Sequence, residues 1–418
     1  MSEKHGRSFL RLLLACAFTL VCALSTQGQT FKVLHDFAGG ADGVSPLASL
    51  VLDKLGNLYG TTLYGGPNLL GAVFELSPNS DGTWTETIIH SFRQFDPDGE
   101  EPSSNLILDA GGNLYGTTMG GGIGRGTAFE LTPGPAGWSL TLLYTFGSYK
   151  GDAGPPRGGL IMDAQGNLYG TAGGGTGVGA VYELSQGSGG WTESLPYNFG
   201  VNHRGLKGDI PFGNLLLDVA GDLYGITLSG GDLSCGISGC GGIYRLTPTP
   251  GGWKENVLHN FAGPPVDGDS PAAQLAFDSK GRLYGATDGG GGTLCHLPEG
   301  CGTIFRLIHS NAGWKETLIY TFEGGANGFA PGSGLTFDQA GNAYGVTAYG
   351  GTECSCGVVY KLIPGSNGKW TYSVLHAFTG ADGAFPESGV ILDGKGNLYG
   401  TTEGGGSSGV GVVYQITP

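Results

Sequence analysis

Apolar and polar positions along this chain recur in a block. Each block opens on a short apolar run, such as Ser49-Leu50-Val51-Leu52 or Asn105-Leu106-Ile107-Leu108. A run apolar at successive positions predicts a strand buried on both faces. The second element is Asn57-Leu58-Tyr59-Gly60-Thr61-Thr62. It returns six more times, with its tyrosine at Tyr59, Tyr115, Tyr169, Tyr224, Tyr284, Tyr344 and Tyr399, 54 to 60 residues apart. The third is Ala72-Val73-Phe74-Glu75-Leu76 and its copies. The fourth is the segment 84–92 (WTETIIHSF), and all six Trp of the protein open a copy of it, each eight residues before a Phe. Residues 31–37 (FKVLHDF) match only the end of this segment, and Gln29 stands where its Trp would be.

Turn chemistry separates the elements. Between the first two, Asp holds the same position in all seven copies (Asp53, Asp109, Asp163, Asp218, Asp278, Asp338, Asp393), with Gly three residues later. Asp can accept from the backbone two residues on, and Gly takes a positive φ without strain, so a hairpin is predicted. Four antiparallel strands, repeated seven times, predict an all-β seven-bladed β-propeller, since one repeat cannot bury its own apolar faces. The last copy stops at Tyr414-Gln415-Ile416-Thr417-Pro418, the end of a third strand. The fourth strand of blade 7 is then expected to be the N-terminal stretch 31–37, which closes the ring and removes an exposed edge. An open β-solenoid, the competing reading, would leave both ends uncapped.

Composition supports this picture. Gly accounts for 85 of 418 residues without a three-residue period, which argues against collagen, and 10% aromatic content argues against disorder. The net charge of −15 disfavours a nucleic-acid partner, which needs a basic footprint. Lys4, Arg7 and Arg11 precede the apolar stretch 12–24, with Ser25 and Gly28 beyond it, the pattern of an export signal. Residues 1–28 are therefore read as a signal peptide and 29–418 as a single propeller domain, exported to the periplasm or outside. A membrane anchor fits less well because the apolar core is short. Lipidation at Cys16 fits poorly, because the apolar run continues past it. No later stretch is apolar and long enough to anchor the mature chain.

The succession D-x-x-G-N-L-Y-G-T-T, G-G, V-F-E-L-x-P and W-x-E-x-x-L-H-x-F resembles the GloVer tandem repeats of exported bacterial proteins, over essentially the whole mature chain. That resemblance implies secretion, a repeat architecture and often a C-terminal anchor, and this chain stops at Pro418 without an anchor tail. It implies no reaction and transfers no catalytic residue. The hairpin is similar, more distantly, to those of gluconolactonase-type and NHL-type propellers.

Six cysteines lie beyond the signal: Cys235, Cys240, Cys295, Cys301, Cys354 and Cys356, in pairs between the second and third strands of repeats four, five and six. Six cysteines allow 15 pairings, and an oxidising compartment with this local spacing favours three loop staples over a metal cluster. Cys354-Ser355-Cys356 would close a very small ring, so that pair is read as strained or free.

Four of the eight His share one register (His35, His90, His259, His376), where other copies hold Tyr144, Tyr197 and Tyr320. A position that accepts Tyr reads as a packed amphipathic ring rather than a ligand or base. The turn acids Asp42, Asp98, Asp267 and Asp382 could hold calcium, but each turn offers one carboxylate and calcium takes six to eight oxygens. Turn chemistry is the expectation, with no metal and no cofactor assigned. Arg245 with Glu255, and Arg306 with Glu316, are expected to pair across strands. H-E-x-x-H and a phosphate loop are missing, and no catalytic residue is named.

The departures from symmetry are cationic. Lys150, Arg157, His203, Arg204 and Lys207 lie in the loops of repeats three and four, on one propeller face, in a protein with 35 acidic against 20 basic residues. They are the candidate ligand-binding residues, for an acidic glycan or an acidic envelope protein, in what is expected to be a monomeric binding module. Two other readings stay open. One is a lactonase- or lyase-like enzyme with a channel metal, which needs unlike acidic and amide side chains from several blades converging on the axis. The sequence displays no such set. The other is a structural surface protein.

Overall fold

The computed structural model describes residues 29–93, 97–200, 208–236, 238–272, 274–292, 295, 300–311, 313–352 and 354–417. Seven antiparallel sheets form a propeller. Blade 1 runs from Val51–Leu52 at the axis through Leu58–Thr62 and Ala72–Pro78 to Trp84–Ser91 outside. Blade 7 consists of Ile391–Leu392, Leu398–Thr402 and Val412–Thr417, with Thr30–Asp36 as its outer strand. That strand is antiparallel to Val412–Thr417, from Thr30 opposite Thr417 to Asp36 opposite Val412. The expected closure by the N-terminus is therefore the observed one. In blades 3 and 4 the segments leading to the inner strand also join the sheet, as Ala153–Pro156 and within Asp209–Leu217.

The hairpin acid organises each blade. Asp53 Oδ1 accepts from the backbone N–H groups of Leu55 and Asn57, and Oδ2 accepts from the Asn57 amide and the Tyr59 hydroxyl. In blade 5, Arg282 replaces the amide and forms an ion pair with Asp278. The Tyr ring then meets the Trp of the following blade, as Tyr59 meets Trp138 edge-on with centroids 5.7 Å apart. Blade 7 has Gln29 in the Trp position, and Tyr344 instead lies under Lys361, with Nζ 5.3 Å from the ring centroid.

The blades are joined by a ring of aromatic contacts. Phe37, Phe92, Phe146, Phe199, Phe261, Phe322 and Phe378 are all buried. Each turns its ring against the third-strand aromatic of the next blade: Phe92 lies 5.3 Å from Phe129, and Phe146 lies 4.9 Å from Tyr182. These rings explain the Gly of the repeated Leu-Tyr-Gly. A Cβ at Gly60 would sit 2.5 Å from Phe74, and one at Gly170 would sit 2.3 Å from the Tyr182 hydroxyl. No real Cβ contact is that close, so only Gly fits beneath the ring.

The expected Arg–Glu cross-strand pairs do not form. Arg245 lies opposite Asn256, while Glu255 lies opposite Leu246. Arg306 lies opposite Thr317, and Glu316 opposite Leu307. Side chains alternate along a strand, so the two members of each pair point to opposite faces. Arg245 instead pairs with Asp222, 3.5 Å away, and Glu255 accepts from the Tyr197 hydroxyl of the preceding blade at 2.8 Å.

Candidate functional site

The axial channel collects corresponding residues from the successive repeats. At its waist the amides link neighbouring blades. Asn105 accepts the Ser49 N–H at 2.8 Å, Asn214 accepts the Gly159 N–H at 2.5 Å, and the Asn214 amide donates to Gln274 at 3.3 Å. Ser49, Asn105, Asn214 and Gln274 line a cavity of about 540 Å³. It opens into a second cavity of about 630 Å³ at the mouth, whose lining includes Arg157, Asp288 and Glu387.

Two registers build the mouth. One is the residue after the Pro of the D-G-x-x-P turn: Leu47, Ser103, Arg157, Phe212, Ala272, Gly332 and Glu387. The other follows the second strand, and here blade 5 supplies Asp288 and blade 7 supplies Glu403. The backbone ties the registers together. Ser270 and Phe385, each just before a Pro, have φ of 54° and 57°. Left-handed backbone is disfavoured for a non-Gly residue, and more so before Pro, so these positions cost roughly 1–3 kcal/mol each. The strain aims their carbonyls at the N–H groups of Asp288 and Glu403, at 3.1 and 3.0 Å. Their own N–H groups donate to Cys240 and Cys356 in the preceding blades, at 3.0 and 2.8 Å.

The cysteines form three disulfides, Cys235–Cys240, Cys295–Cys301 and Cys354–Cys356. The last pair, read from sequence as strained or free, is bonded rather than free. Cys240, Cys301 and Cys356 each carry the carbonyl that receives the next blade's turn N–H. The staples thus brace the acceptor side of the loops around the mouth.

Charge at the mouth is unlike on its two sides. Burial, then Glu403 and Asp288, push the Glu387 carboxyl up to about 7. Burial raises Asp288 as well. Burial pulls Arg157 down, and its Nη1 is buried with no hydrogen-bond partner among the described residues. Tyr349 lines the same cavity, 42% exposed, and stacks on Phe329 at 5.4 Å. Unlike acidic and amide side chains from several blades therefore do converge on the axis, which corrects the sequence reading. Each such residue stands alone in its own repeat, and only superposing the registers in space brings Arg157, Asp288 and Glu387 together.

Of the five expected ligand-binding cations, Arg157 lines the mouth. Lys150 is exposed on the loop after the outer strand of blade 2 and is not part of the lining. His203, Arg204 and Lys207 lie outside the described residues. The turn acids bond the recurring His: His35 meets Asp42 at 3.0 Å, His90 meets Asp98 at 2.8 Å, His259 meets Asp267 at 3.1 Å and His376 meets Asp382 at 3.0 Å.

Stability should fall as pH rises through neutrality. Burial pushes Glu86, Glu316 and Glu387 up to about 7 and Glu193 up to about 8. A carboxyl whose folded value is raised contributes stability that is complete below its unfolded value, near 4.5, and lost as pH rises through the folded one. The hairpin acids set the other limb. At Asp109, hydrogen bonds from Asn113, Gly111 and Tyr115 outweigh the opposing effect of burial and hold the carboxyl low, so its contribution is lost only in strong acid. Thermal melts should peak near mildly acidic pH and decline towards pH 9, and Glu193→Gln should flatten that decline. A melting temperature that climbs from pH 5 to pH 8 would contradict the assignment.

Three solved structures share the fold. An ancestral GH74 enzyme matches with a TM-score of 0.60 and 12% identity, over 90% of this chain and 48% of that one. The extracellular domain of a B. thetaiotaomicron protein described as a one-component system matches at 0.52 and 10%, over 91% and 39%. PorZ, a surface component of the type-IX secretion system of Porphyromonas gingivalis, matches at 0.51 and 15%, over 88% and 46%. The chain spans less than half the length of each. At these identities the likeness concerns the fold alone. No curated protein matches the sequence. The family model described as Gloeobacter/Verrucomicrobia repeat matches residues 19–151, 80–297 and 292–418.

Proposed function

This chain belongs to the Gloeobacter/Verrucomicrobia repeat family, and from its polar channel mouth we propose that it is an exported, monomeric binding module for an acidic glycan. Export is supported by the n-region Lys4, Arg7 and Arg11, by the apolar stretch 12–24 and by three disulfides. Structural neighbours described as an extracellular domain and a surface component agree with it. Among the described residues no helix is long and apolar enough to cross a membrane.

One observation carries the ligand class. Arg157 presents a buried nitrogen, with no hydrogen-bond partner among the described residues, to a cavity that also holds Glu387 and Asp288. A guanidinium takes a carboxylate by two parallel bonds. The neighbouring carboxyl groups suit sugar hydroxyls, and the Tyr349 face suits the apolar side of a sugar ring. Lys150, His203, Arg204 and Lys207 would meet further carboxylates of a longer chain.

A glycan array should identify uronate-containing oligosaccharides, with affinity then measured by calorimetry. Arg157→Ala should weaken binding by about 10- to 100-fold, as expected for a charged hydrogen bond, with little change in melting temperature. Binding should strengthen as pH falls through 7, as Glu387 takes up its proton and repels the ligand less. An array without acidic glycans, or an Arg157→Ala variant that binds like the parent, would sink the proposal. Release of new reducing ends from the glycan would instead point to hydrolysis.

A further inference from the structure

Away from the channel, the outer strands meet at seven junctions. At each, the His or Tyr of one outer strand faces the residue two after the Trp of the next. At two junctions the facing residue is Glu and the ring is His, and the turn Asp completes a set of three. These are His35, Asp42 and Glu86 between blades 7 and 1, and His259, Asp267 and Glu316 between blades 4 and 5. In each set one ligand atom from every residue lies within 4.8 Å of the others.

The same His–Asp pair occurs without Glu at two other junctions. Leu140 holds the Glu position in the strand that follows His90, and Phe31 stacks flat on His376 with centroids 3.7 Å apart. Glu is therefore not needed for the junction to pack or for the His–Asp bond to form. Where Glu is present, its Oε1 is buried in both sets without a hydrogen-bond partner among the described residues. An unpaired buried carboxylate oxygen is costly, and its appearance twice beside an imidazole and a second carboxylate calls for a ligand.

We propose that these two sets are binding sites for a divalent transition-metal ion of the zinc class. One imidazole nitrogen and two carboxylate oxygens, with a fourth position left to water, match a tetrahedral zinc donor set. The His donor disfavours calcium and magnesium, which take oxygen ligands. Metal–ligand distances of about 2.0–2.2 Å put tetrahedral ligand atoms about 3.4 Å apart; the His and Asp atoms stand close to that, at 3.0 and 3.1 Å, so it is the Glu oxygen that has to move toward them by side-chain rotation. Binding would expel the proton that His Nε2 shares with Asp. The third group of potential ligands, Cys235, Cys240 and Asp269, is of another kind, because its sulfurs are joined in a disulfide.

The purified chain, stripped with chelator and dialysed metal-free, would be titrated calorimetrically with Zn²⁺. Two ions per chain are expected. Glu86→Gln should leave one, and Glu86→Gln with Glu316→Gln should leave none. His90→Ala should still bind two, since the His90 junction has Leu140 in place of Glu. Co²⁺ should bind with the visible absorption of a tetrahedral complex and lose it in the double variant. Melting in chelator separates misfolding from loss of ligand, because all variants should then melt close to the parent. No Zn²⁺ uptake, a stoichiometry unchanged in the double variant, or uptake that depends on His90 would overturn the proposal.

Discussion

A chain lacking residues 30–37 is expected to aggregate rather than to melt as a propeller. Those residues supply the whole outer strand of blade 7 and the closing contacts with blade 1. Deletion strips Val412–Thr417 of its outer partner and leaves an open edge, which is a template for pairing with another copy. It also removes Phe37, fully buried against Phe74 at 5.3 Å, and Phe31, stacked on His376. Fully burying one large apolar side chain is worth about 1.5–3 kcal/mol, and this stretch buries Phe37 fully and Phe31, Val33 and Leu34 in part, so together with the lost strand pairing the cost is several kcal/mol. Size-exclusion chromatography and thermal melting of the deleted and parent proteins check it. A deleted protein that stays monomeric and melts like the parent would show that the ring does not depend on this closure.

Phe92→Ala should cost about 3–5 kcal/mol, the largest effect of a single substitution here. Phe92 has no exposed surface and joins blade 1 to blade 2 through Phe129, so truncation opens a cavity with no segment free to collapse into it. Tyr182→Phe provides the contrast. Its hydroxyl is buried with no partner among the described residues, and Phe already holds the equivalent position at Phe74, Phe129 and Phe305. Removing an unpaired hydroxyl should leave stability unchanged or raise it by about 1 kcal/mol. Denaturant unfolding of both variants tests the pair of outcomes. A mild Phe92→Ala effect would mean that the blades are held together mainly elsewhere, and a destabilised Tyr182→Phe would mean that the hydroxyl has an ordered partner.

The fold was legible because the repeat states each local rule seven times. Asp53 and its copies mark the hairpins, Tyr59 and its copies mark the second strand, and the Trp-to-Phe spacing marks the outer strand. The Gly of Leu-Tyr-Gly was equally visible, but its cause was not, since the aromatic ring above Gly60 comes from the strand beside it. The unpaired third strand ending at Thr417 and the unpaired outer strand at 30–36 named each other as partners.

The mouth was legible only in part. Arg157 stood out as a cation in an acidic chain, whereas nothing within their own repeats singles out Asp288 and Glu387. They become a set because the ring superposes positions from blades 3, 5 and 7 on one axis, where burial raises both carboxyls and leaves an Arg157 nitrogen without a partner among the described residues. Arg245 and Glu255 show the same limit, since the hairpin register sets Arg245 opposite Asn256 and Glu255 opposite Leu246, on opposite faces. Local chemistry, repeated, was enough to determine the elements, their order and the closure of the ring. Which unlike side chains meet at the axis and between the outer strands was decided by tertiary structure alone, because those contacts join residues that no repeat places near one another in sequence.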